Sequence, residues 1–376
     1  MNNLLILSFM VLIVAATGIL MAAMPWLEAH GQCFSVTVPG AAASDERLVA
    51  LKRRYAVTTL ALTALCSIAV GGAFAVDPAG TLGIVALIAA TLVLILAPFV
   101  LMQVARTRVQ AIKAAEAWHA EHQLHVAAIG ETDLPQALPL AWELLHLPLM
   151  LIALGLGAAL MPSMPDRIAI HFDLAGTPNG WIDKGPAVIA LPLAIMVFLA
   201  LTMTACHLVL LSSKRGIASD APATSAYGYA LFVRAQSMML VVLGLALNLV
   251  LALMPLTFAG IVSPNALFAA AMVVAAGAVV ACVWLAYAYG QNGSRAVKLL
   301  TERETSATGA DSLGFDDDHF WHLGVFYANT DDPAVVVPKR FGIGWSMNWA
   351  RPASWLIVLG FLVVSAVFCV AMVLLP

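Results

Sequence analysis

The sequence predicts an all-α polytopic membrane protein with about eight transmembrane helices and a small cytoplasmic module between helices seven and eight. Composition is the first reason: 62% of the 376 residues are hydrophobic, 10% are charged, and the mean hydropathy is +0.94. An ordinary soluble domain has about 25% charged residues. The second reason is a series of apolar runs, and the third is the uneven distribution of Lys and Arg between the loops.

Eight stretches reach the length of about 20 mostly apolar residues that a membrane-spanning helix needs. They cover residues 4–25, 56–76, 81–105, 145–163, 187–211, 237–257, 264–289 and 355–375. The first has no Lys or Arg before it and is longer than the apolar core of a signal peptide. We therefore expect it to be a retained helix.

The positive charges set the orientation. Of the 18 Lys and Arg residues, 16 lie in the loops after spans one, three, five and seven. The other two, Arg167 and Lys184, lie in the loop after span four. Because cytoplasmic loops carry the excess of Lys and Arg, these loops are predicted to be cytoplasmic, in a bacterial inner membrane, with both termini outside.

This topology divides the chain into five regions: residues 1–139, an N-terminal three-helix region; 140–212, a helix–polar loop–helix domain; 213–290, helices six and seven; 291–354, the cytoplasmic module; and 355–376, the last helix.

The interiors of the spans hold few ionisable residues. Glu143 and His146 lie near the cytoplasmic end of span four, and His207 lies near that of span five. Asn248 in span six is typical of an interhelical hydrogen bond. Ionisable groups at depth are costly and mark ion pathways, so their scarcity disfavours ion-coupled transport and intramembrane proteolysis.

Other chemistries have equally weak signals. The five cysteines form no CxxC pair, so the sequence gives no signal for a zinc site. No basic stripe indicates nucleic-acid binding, and no cofactor motif is present. His119, His122 and His125 could share a helix face, but the first and last differ by about 120° around the axis. We therefore favour a solvated helix over a metal site there.

Two segments of the first cytoplasmic loop predict local structure. Residues 33–39 alternate in the manner of a short strand, and residues 44–55 resemble a capped amphipathic helix that leads into span two. The basic end of that helix suits anionic lipid headgroups.

A polar island, residues 164–186, interrupts the apolar sequence between spans four and five. Its pattern, Pro-x-x-Ile-x-x-His-Phe-x-x-x-Gly-x-Pro-x-x-Trp-x-x-Lys, resembles the uncharacterised domain of SdpI-like membrane proteins, which give immunity to the sporulation-delaying toxin. The resemblance implies an outer ligand surface. Its candidate residues are His171, Phe172, Asp173, Asn179, Trp181 and Lys184. A hydrogen-bonded surface turn and a catalytic or metal site remain open alternatives.

A second segment, residues 316–352, is similar to a module that recurs after SdpI-like domains in larger membrane proteins. Candidates for contact with a cytoplasmic partner or with lipid are Trp321, Tyr327, Lys339, Arg340, Trp345 and Arg351. We expect the aromatic residues at the membrane surface and the basic ones facing headgroups. Asp316, Asp317 and Asp318 predict a solvated acidic turn rather than a calcium loop.

The favoured function is non-enzymatic. The resemblance implies peptide-toxin immunity or envelope sensing, with a peptide ligand outside, a protein regulator inside and the lipid bilayer around the helices. The alternatives are an outer-surface membrane enzyme or metal-binding protein that uses His171, Asp173 and Asp183, and a passive transporter. Small-residue runs in spans four and seven allow either internal packing or a homo-oligomer.

Overall fold

The computed structural model describes residues 3–29, 31–77, 81–118, 134–172, 178–217, 221–308 and 316–374. Within these residues, eight helical segments are long and apolar enough to cross a membrane, which confirms the predicted fold class and helix count. They are Leu7–Leu27, Glu46–Val76, Thr81–Ala115, Leu140–Ser163, Pro186–Ser212, Pro222–Phe258, Pro264–Arg303 and Pro352–Val370. The histidines at 119, 122 and 125 and Asp173 lie outside the described residues.

The α-helices are numbered along the chain. They are α1 (Asn3–Leu27), α2 (Glu46–Val76), α3 (Thr81–Ala115), α4 (His146–Leu160), α5 (Pro186–Ser212), α6 (Pro222–Ala252), α7 (Met254–Phe258), α8 (Pro264–Tyr289), α9 (Lys298–Thr308) and α10 (Pro352–Leu374). A 3-10 turn, Leu140–Leu145, leads into α4.

Helices α1, α2 and α3 pack together as the N-terminal bundle. The predicted amphipathic helix is confirmed: α2 runs without a break from Glu46, and the side chain of Asp45 caps it by accepting from the Arg47 N–H. Gly18 of α1 permits close approach, because a Cβ there would lie 1.9 Å from Thr63 Oγ1 of α2. Helix α3 extends ten residues beyond the predicted span end at 105.

Helices α4, α5 and α6 form a second bundle, and α8 lies along α6 and α1. The buried apolar residues of the second bundle form layers along the helices. Met164, Ile168, Ile182, Val188 and Phe258 pack at one end. Ala153, Met196 and Ala252 form the next layer along the helices.

In the described part of the chain, four two-stranded antiparallel hairpins accompany the helices. The all-α prediction included β-structure only as a possible short strand over 33–39. Their strands are β1 (Gln32–Cys33), β2 (Val36–Thr37), β3 (Arg167–Phe172), β4 (Pro178–Asp183), β5 (Trp321–His322), β6 (Phe326–Tyr327), β7 (Val336–Pro338) and β8 (Trp345–Met347). Within 33–39, the chain turns at Phe34 and Ser35, both of which have positive φ.

The connections after α1, α3, α5 and α8 meet at one end of the molecule, here called the module end. Contacts there join Thr37 to Asp318, Lys113 to Asp316, and the Lys214 N–H to the Val336 carbonyl. The β3–β4 hairpin follows α4 and marks the opposite, hairpin end. This alternation agrees with the loops that the charge pattern grouped together. Which side of the membrane each end faces stays a prediction.

Candidate functional site

The polar island folds as the β3–β4 hairpin, with Ile168 opposite Ile182 and Ala169 opposite Trp181. Ile168 and Ile182 are buried against the ends of the bundle helices. Gly180 lets the strands come together near the tip, because a Cβ there would lie 2.8 Å from His171 Cβ. A register shift after Ala169 leaves Ile170 unpaired.

Lys184, the residue after β4, fixes the hairpin to the end of the α4 segment. Lys184 Nζ donates to the Met164 carbonyl at 2.8 Å and to the Pro162 carbonyl at 3.0 Å. Its backbone N–H donates to the Asp166 carbonyl at 2.8 Å. Lys184 is therefore an anchor of the hairpin, a role different from the ligand contact expected from the sequence.

The other candidate residues of the island lie on the exposed part of the hairpin. Trp181 is 48% exposed, and the Arg167 guanidinium lies 5.9 Å from its ring centroid. His171 Nδ1 forms a hydrogen bond with Asn179 Oδ1. Phe172 is half-buried at the end of β3. Asp183, named in the enzyme alternative, is exposed and lies 3.6 Å from Arg167. The hairpin thus presents an exposed aromatic ring with a cation over it, and a separate hydrogen-bonded pair of an imidazole and an amide.

The structure also brings together four polar side chains that the sequence analysis considered separately. The polar quartet consists of Glu143, His146, His207 and Asn248, all buried between α4, α5 and α6. Glu143 Oε1 lies 2.8 Å from His207 Nδ1, and Glu143 Oε2 lies 3.2 Å from His146 Nε2. Asn248 Nδ2 lies 2.6 Å from His146 Nδ1, so the expected interhelical hydrogen bond is confirmed.

The quartet continues towards the module end through the backbone. His207 Nε2 lies 3.0 Å from the Leu138 carbonyl oxygen, and the Leu138 N–H donates to Ser237 Oγ at 2.9 Å. In the other direction, Asn248 Nδ2 lies 3.5 Å from the Met196 carbonyl. Met196 belongs to the apolar layer between the quartet and the hairpin. Along α4, α5 and α6, the polar quartet is therefore followed by the apolar layers and then by the hairpin.

The sequence contained a signal that these four polar residues lie close together. Glu143 and His146 are three positions apart, close enough to be neighbours on one helical face. His207 and Asn248 are polar residues in the two following spans, where such groups seek partners. Among the described residues, however, no group of three His, Cys, Asp or Glu side chains is arranged to hold a metal ion.

The module has a polar centre around the β1–β2 turn. The Ser35 carbonyl accepts from Arg106 Nη1 at 2.6 Å and from Arg340 Nη1 at 3.3 Å. Arg340 also pairs with Asp317 and Asp318. The expectation that Arg340 faces lipid headgroups is wrong, because these carboxylates hold it inside the module.

The acidic run is half-buried and held by ion pairs, so it is not the solvated turn expected from the sequence. Lys113 Nζ lies 2.6 Å from Asp316 and 2.7 Å from Asp318. Asp318 Oδ1 also accepts from the Thr37 hydroxyl at 2.8 Å. Burial alone would raise the pKa of Asp316, but the hydrogen bond from Lys113 brings it below its ordinary value. These carboxylates join α3 and the first connection to the module.

The aromatic candidates of the module divide into buried and exposed residues. Trp321 and Tyr327 are buried, with ring centroids 5.0 Å apart, so they do not lie on the surface as expected. Trp345 is half-buried against Phe232 of α6. Arg351 donates to the Asp332 carbonyl at 2.7 Å, and Lys339 is exposed.

A different aromatic group reaches the surface beside α10. Trp349 lies 5.0 Å from Trp355 and 6.3 Å from Phe326, measured between ring centroids. Phe326 and Trp355 are exposed. Aromatic residues of this kind are enriched where helices leave the bilayer, so this group suits the membrane surface better than Trp321 and Tyr327 do.

Comparison with known proteins identifies two segments. Residues 148–196, which cover α4, the hairpin and the first part of α5, match a domain of unknown function, DUF1648. Residues 330–355, which cover β7, β8 and the start of α10, match a family of unknown function, DUF5808. No curated protein and no solved structure matches the chain. The chain is therefore a multi-pass membrane protein that carries two uncharacterised domains, one around the hairpin and one in the module.

Proposed function

We propose that this protein is a membrane sensor or immunity protein whose β3–β4 hairpin binds a peptide ligand outside the cell. The observation that carries the proposal is the exposed face of the hairpin, where the Arg167 guanidinium lies over the Trp181 ring and His171 is exposed on the paired strand. An exposed aromatic ring beside hydrogen-bonding groups is typical of a binding hot spot.

The sidedness belongs to the same proposal. The hairpin end carries Arg167 and Lys184, whereas the remaining Lys and Arg residues belong to the other set of loops. The charge bias therefore favours an extracytoplasmic hairpin and a cytoplasmic module. In this orientation an external peptide reaches Trp181 directly, and the module is available to a cytoplasmic regulator.

The packing supports a route between the two ends. The inner face of the hairpin rests on the apolar layer that contains Phe258 and Val188, and helices α5 and α6 continue from there to the module end. At that end, α5 meets the module through Lys214, which lies 2.7 Å from Asp332. A ligand that shifts the hairpin would thus act on helices that contact the module.

Protection of living cells tests the ligand role. The full chain is expressed in a toxin-sensitive bacterium, and survival is measured after exposure to a purified sporulation-delaying-type peptide. We expect protection by the natural chain, loss of protection in Trp181→Ala and His171→Ala, and retained protection in the control Asp166→Asn. Asp166 is exposed at the base of the hairpin. The amount of each variant in the membrane is measured in parallel. Lack of protection by the natural chain, or full protection by both hairpin variants, would contradict the proposal.

Cysteine labelling of intact cells tests the orientation. In a background without the five natural cysteines, Asp166→Cys should react with a membrane-impermeant maleimide, and Asp331→Cys should react only after lysis. Both positions are exposed, at the hairpin end and the module end respectively. The reverse labelling pattern would place the hairpin in the cytoplasm and refute the proposed ligand access.

A further inference from the structure

The protonation of the polar quartet follows from its hydrogen bonds, beginning with His207. This ring lies between two acceptors, the Leu138 carbonyl at 3.0 Å from Nε2 and Glu143 Oε1 at 2.8 Å from Nδ1. A carbonyl oxygen only accepts, so Nε2 must carry a hydrogen. A neutral imidazole has one N–H, and its Nδ1 would then point a lone pair at the carboxylate.

One further proton resolves this conflict. It lies between His207 Nδ1 and Glu143 Oε1 and belongs formally to either the imidazole or the carboxyl group. With it, the pair has no net charge. Without it, a carboxylate faces a lone pair in a fully buried position, since His207 is 0% and Glu143 7% exposed. An uncompensated charge in such surroundings is strongly unfavourable.

The second histidine adds no charge to the site. Asn248 Nδ2 donates to His146 Nδ1 at 2.6 Å, so the ring hydrogen of His146 is on Nε2 and points to Glu143 Oε2 at 3.2 Å. A neutral His146 therefore satisfies both contacts. Gly244 of α6 leaves space for this ring, because a Cβ there would lie 3.1 Å from His146 Cε1.

The surroundings add little charge. Among the described residues, the basic groups within 4.0 Å of the Glu143 carboxylate are His146 and His207, and Arg234 of α6, whose carbonyl accepts from Ser237, has an exposed side chain. The quartet therefore has to balance its own charge.

We propose that the polar quartet is a binding site for a single proton, shared by Glu143 and His207 between α4, α5 and α6. Leu138 and Ser237 connect the site to the module end. Towards the hairpin it ends at Asn248, whose buried Oδ1 has no hydrogen-bond partner among the described residues and remains an open acceptor. The bound proton holds the 3-10 turn before α4 against α5, and its loss would leave a buried negative charge at that contact. This proposal does not depend on the ligand of the hairpin.

Histidine NMR of the full chain in lipid nanodiscs tests the proposal directly. The protein is labelled with 15N-histidine at neutral pH, and the His207 signals are assigned by their loss in His207→Gln. We expect either two protonated ring nitrogens, or one protonated nitrogen together with the infrared carbonyl band of a carboxylic acid that disappears in Glu143→Gln. One unprotonated nitrogen without that band would overturn the proposal. His322→Gln and Glu116→Gln, at exposed positions, serve as controls.

A pair of variants separates proton binding from simple packing. His207→Ala removes the proton partner of Glu143 and should lower the ratio of folded to unfolded protein by about a hundredfold. Adding Glu143→Gln should recover most of this loss, because the neutral amide needs no shared proton. A double variant no more stable than His207→Ala would show that the carboxylate charge is not the cause, and would overturn the proposal.

Discussion

The hydroxyl of Ser35 donates a hydrogen bond of 2.6 Å to the carbonyl oxygen of Gly324, 289 residues further along the chain. A Cβ on Gly324 would lie 3.0 Å from Ser35 Cβ, so the two turns touch directly. The Ser35 carbonyl accepts in turn from the Arg106 guanidinium. The β1–β2 turn is therefore the point where the first connection, α3 and the module meet.

Arg106 should stabilise this junction. It is buried and donates to the carbonyl oxygens of Ser35 and Trp321. Arg106→Gln should lower the free energy of unfolding by about 2 kcal/mol, the range for hydrogen bonds to charged groups. The midpoint of thermal unfolding in detergent measures the loss. Arg108→Gln is the matched control, because Arg108 is exposed on the same helix. Equal stability of the two variants would contradict the prediction.

Glu28 should make stability depend on pH. Burial raises its pKa from 4.5 to about 7, against the lowering effects of Lys52 and the Ser35 N–H. The folded protein therefore keeps a proton that the unfolded chain releases, and stability should fall as the pH rises from about 4.5 through 7. The full loss is about 3 kcal/mol.

Thermal unfolding across this pH range checks the prediction. Glu28→Gln keeps an acceptor for the Ser35 N–H and should remove this part of the pH dependence. Glu46→Gln, at an exposed position, should keep it. If Glu28→Gln follows the natural protein at every pH, Glu28 is not the titrating group.

Gly293 should be essential for the contact between α6 and the turn after α8. Its φ is +75°, and a Cβ there would lie 1.9 Å from the Gly228 carbonyl oxygen, a backbone atom that cannot rotate away. We expect Gly293→Ala to lower the yield of folded protein several-fold, measured by size-exclusion chromatography in detergent. Gly277→Ala in α8, where a Cβ meets open space, should leave the yield unchanged. Similar yields for the two variants would show that the close contact is dispensable.

Lys184 should control the mobility of the hairpin. Lys184→Met removes the two hydrogen bonds to the Pro162 and Met164 carbonyls. Amide hydrogen exchange over β3 and β4 should become about tenfold faster, which corresponds to a loss near 1.4 kcal/mol. Mass spectrometry of the protein in nanodiscs measures the rate. Arg167→Met removes a mostly exposed ion pair with Asp183 and should change exchange much less. Unaltered exchange in Lys184→Met would contradict the anchoring role.

The sequence was sufficient for the features that depend on local pattern. Each span is a continuous apolar run, and Asp45 lies at the start of α2 where a capping residue belongs. The candidate residues of the hairpin were also found locally, because dense turn formers and polar residues interrupted the apolar sequence. The strand pairing of Ile168 with Ile182 was not predicted, since the shifted register obscures the alternation.

Contacts between residues far apart in the sequence could not be predicted from local patterns. Asn248 lies 102 positions from His146, and Arg340 lies 305 positions from Ser35. A pattern within one helix shows that a polar residue needs a partner, but it does not identify the partner. For the same reason, basic and aromatic residues of the module were expected at the membrane surface, although Arg340 and Trp321 are buried among residues from other connections.

The junction at Ser35 has a consequence for biosynthesis. Phe34 and Val36 are fully buried around this turn, and Arg106 donates hydrogen bonds there, but Gly324 and Arg340 follow Ser35 by 289 and 305 residues and are synthesised much later. The first three helices are therefore synthesised with this surface uncovered, and it is covered only after the ribosome has reached the module. Ribosomes that stall before residue 316 would leave this surface uncovered, where quality-control proteases could recognise the incomplete protein.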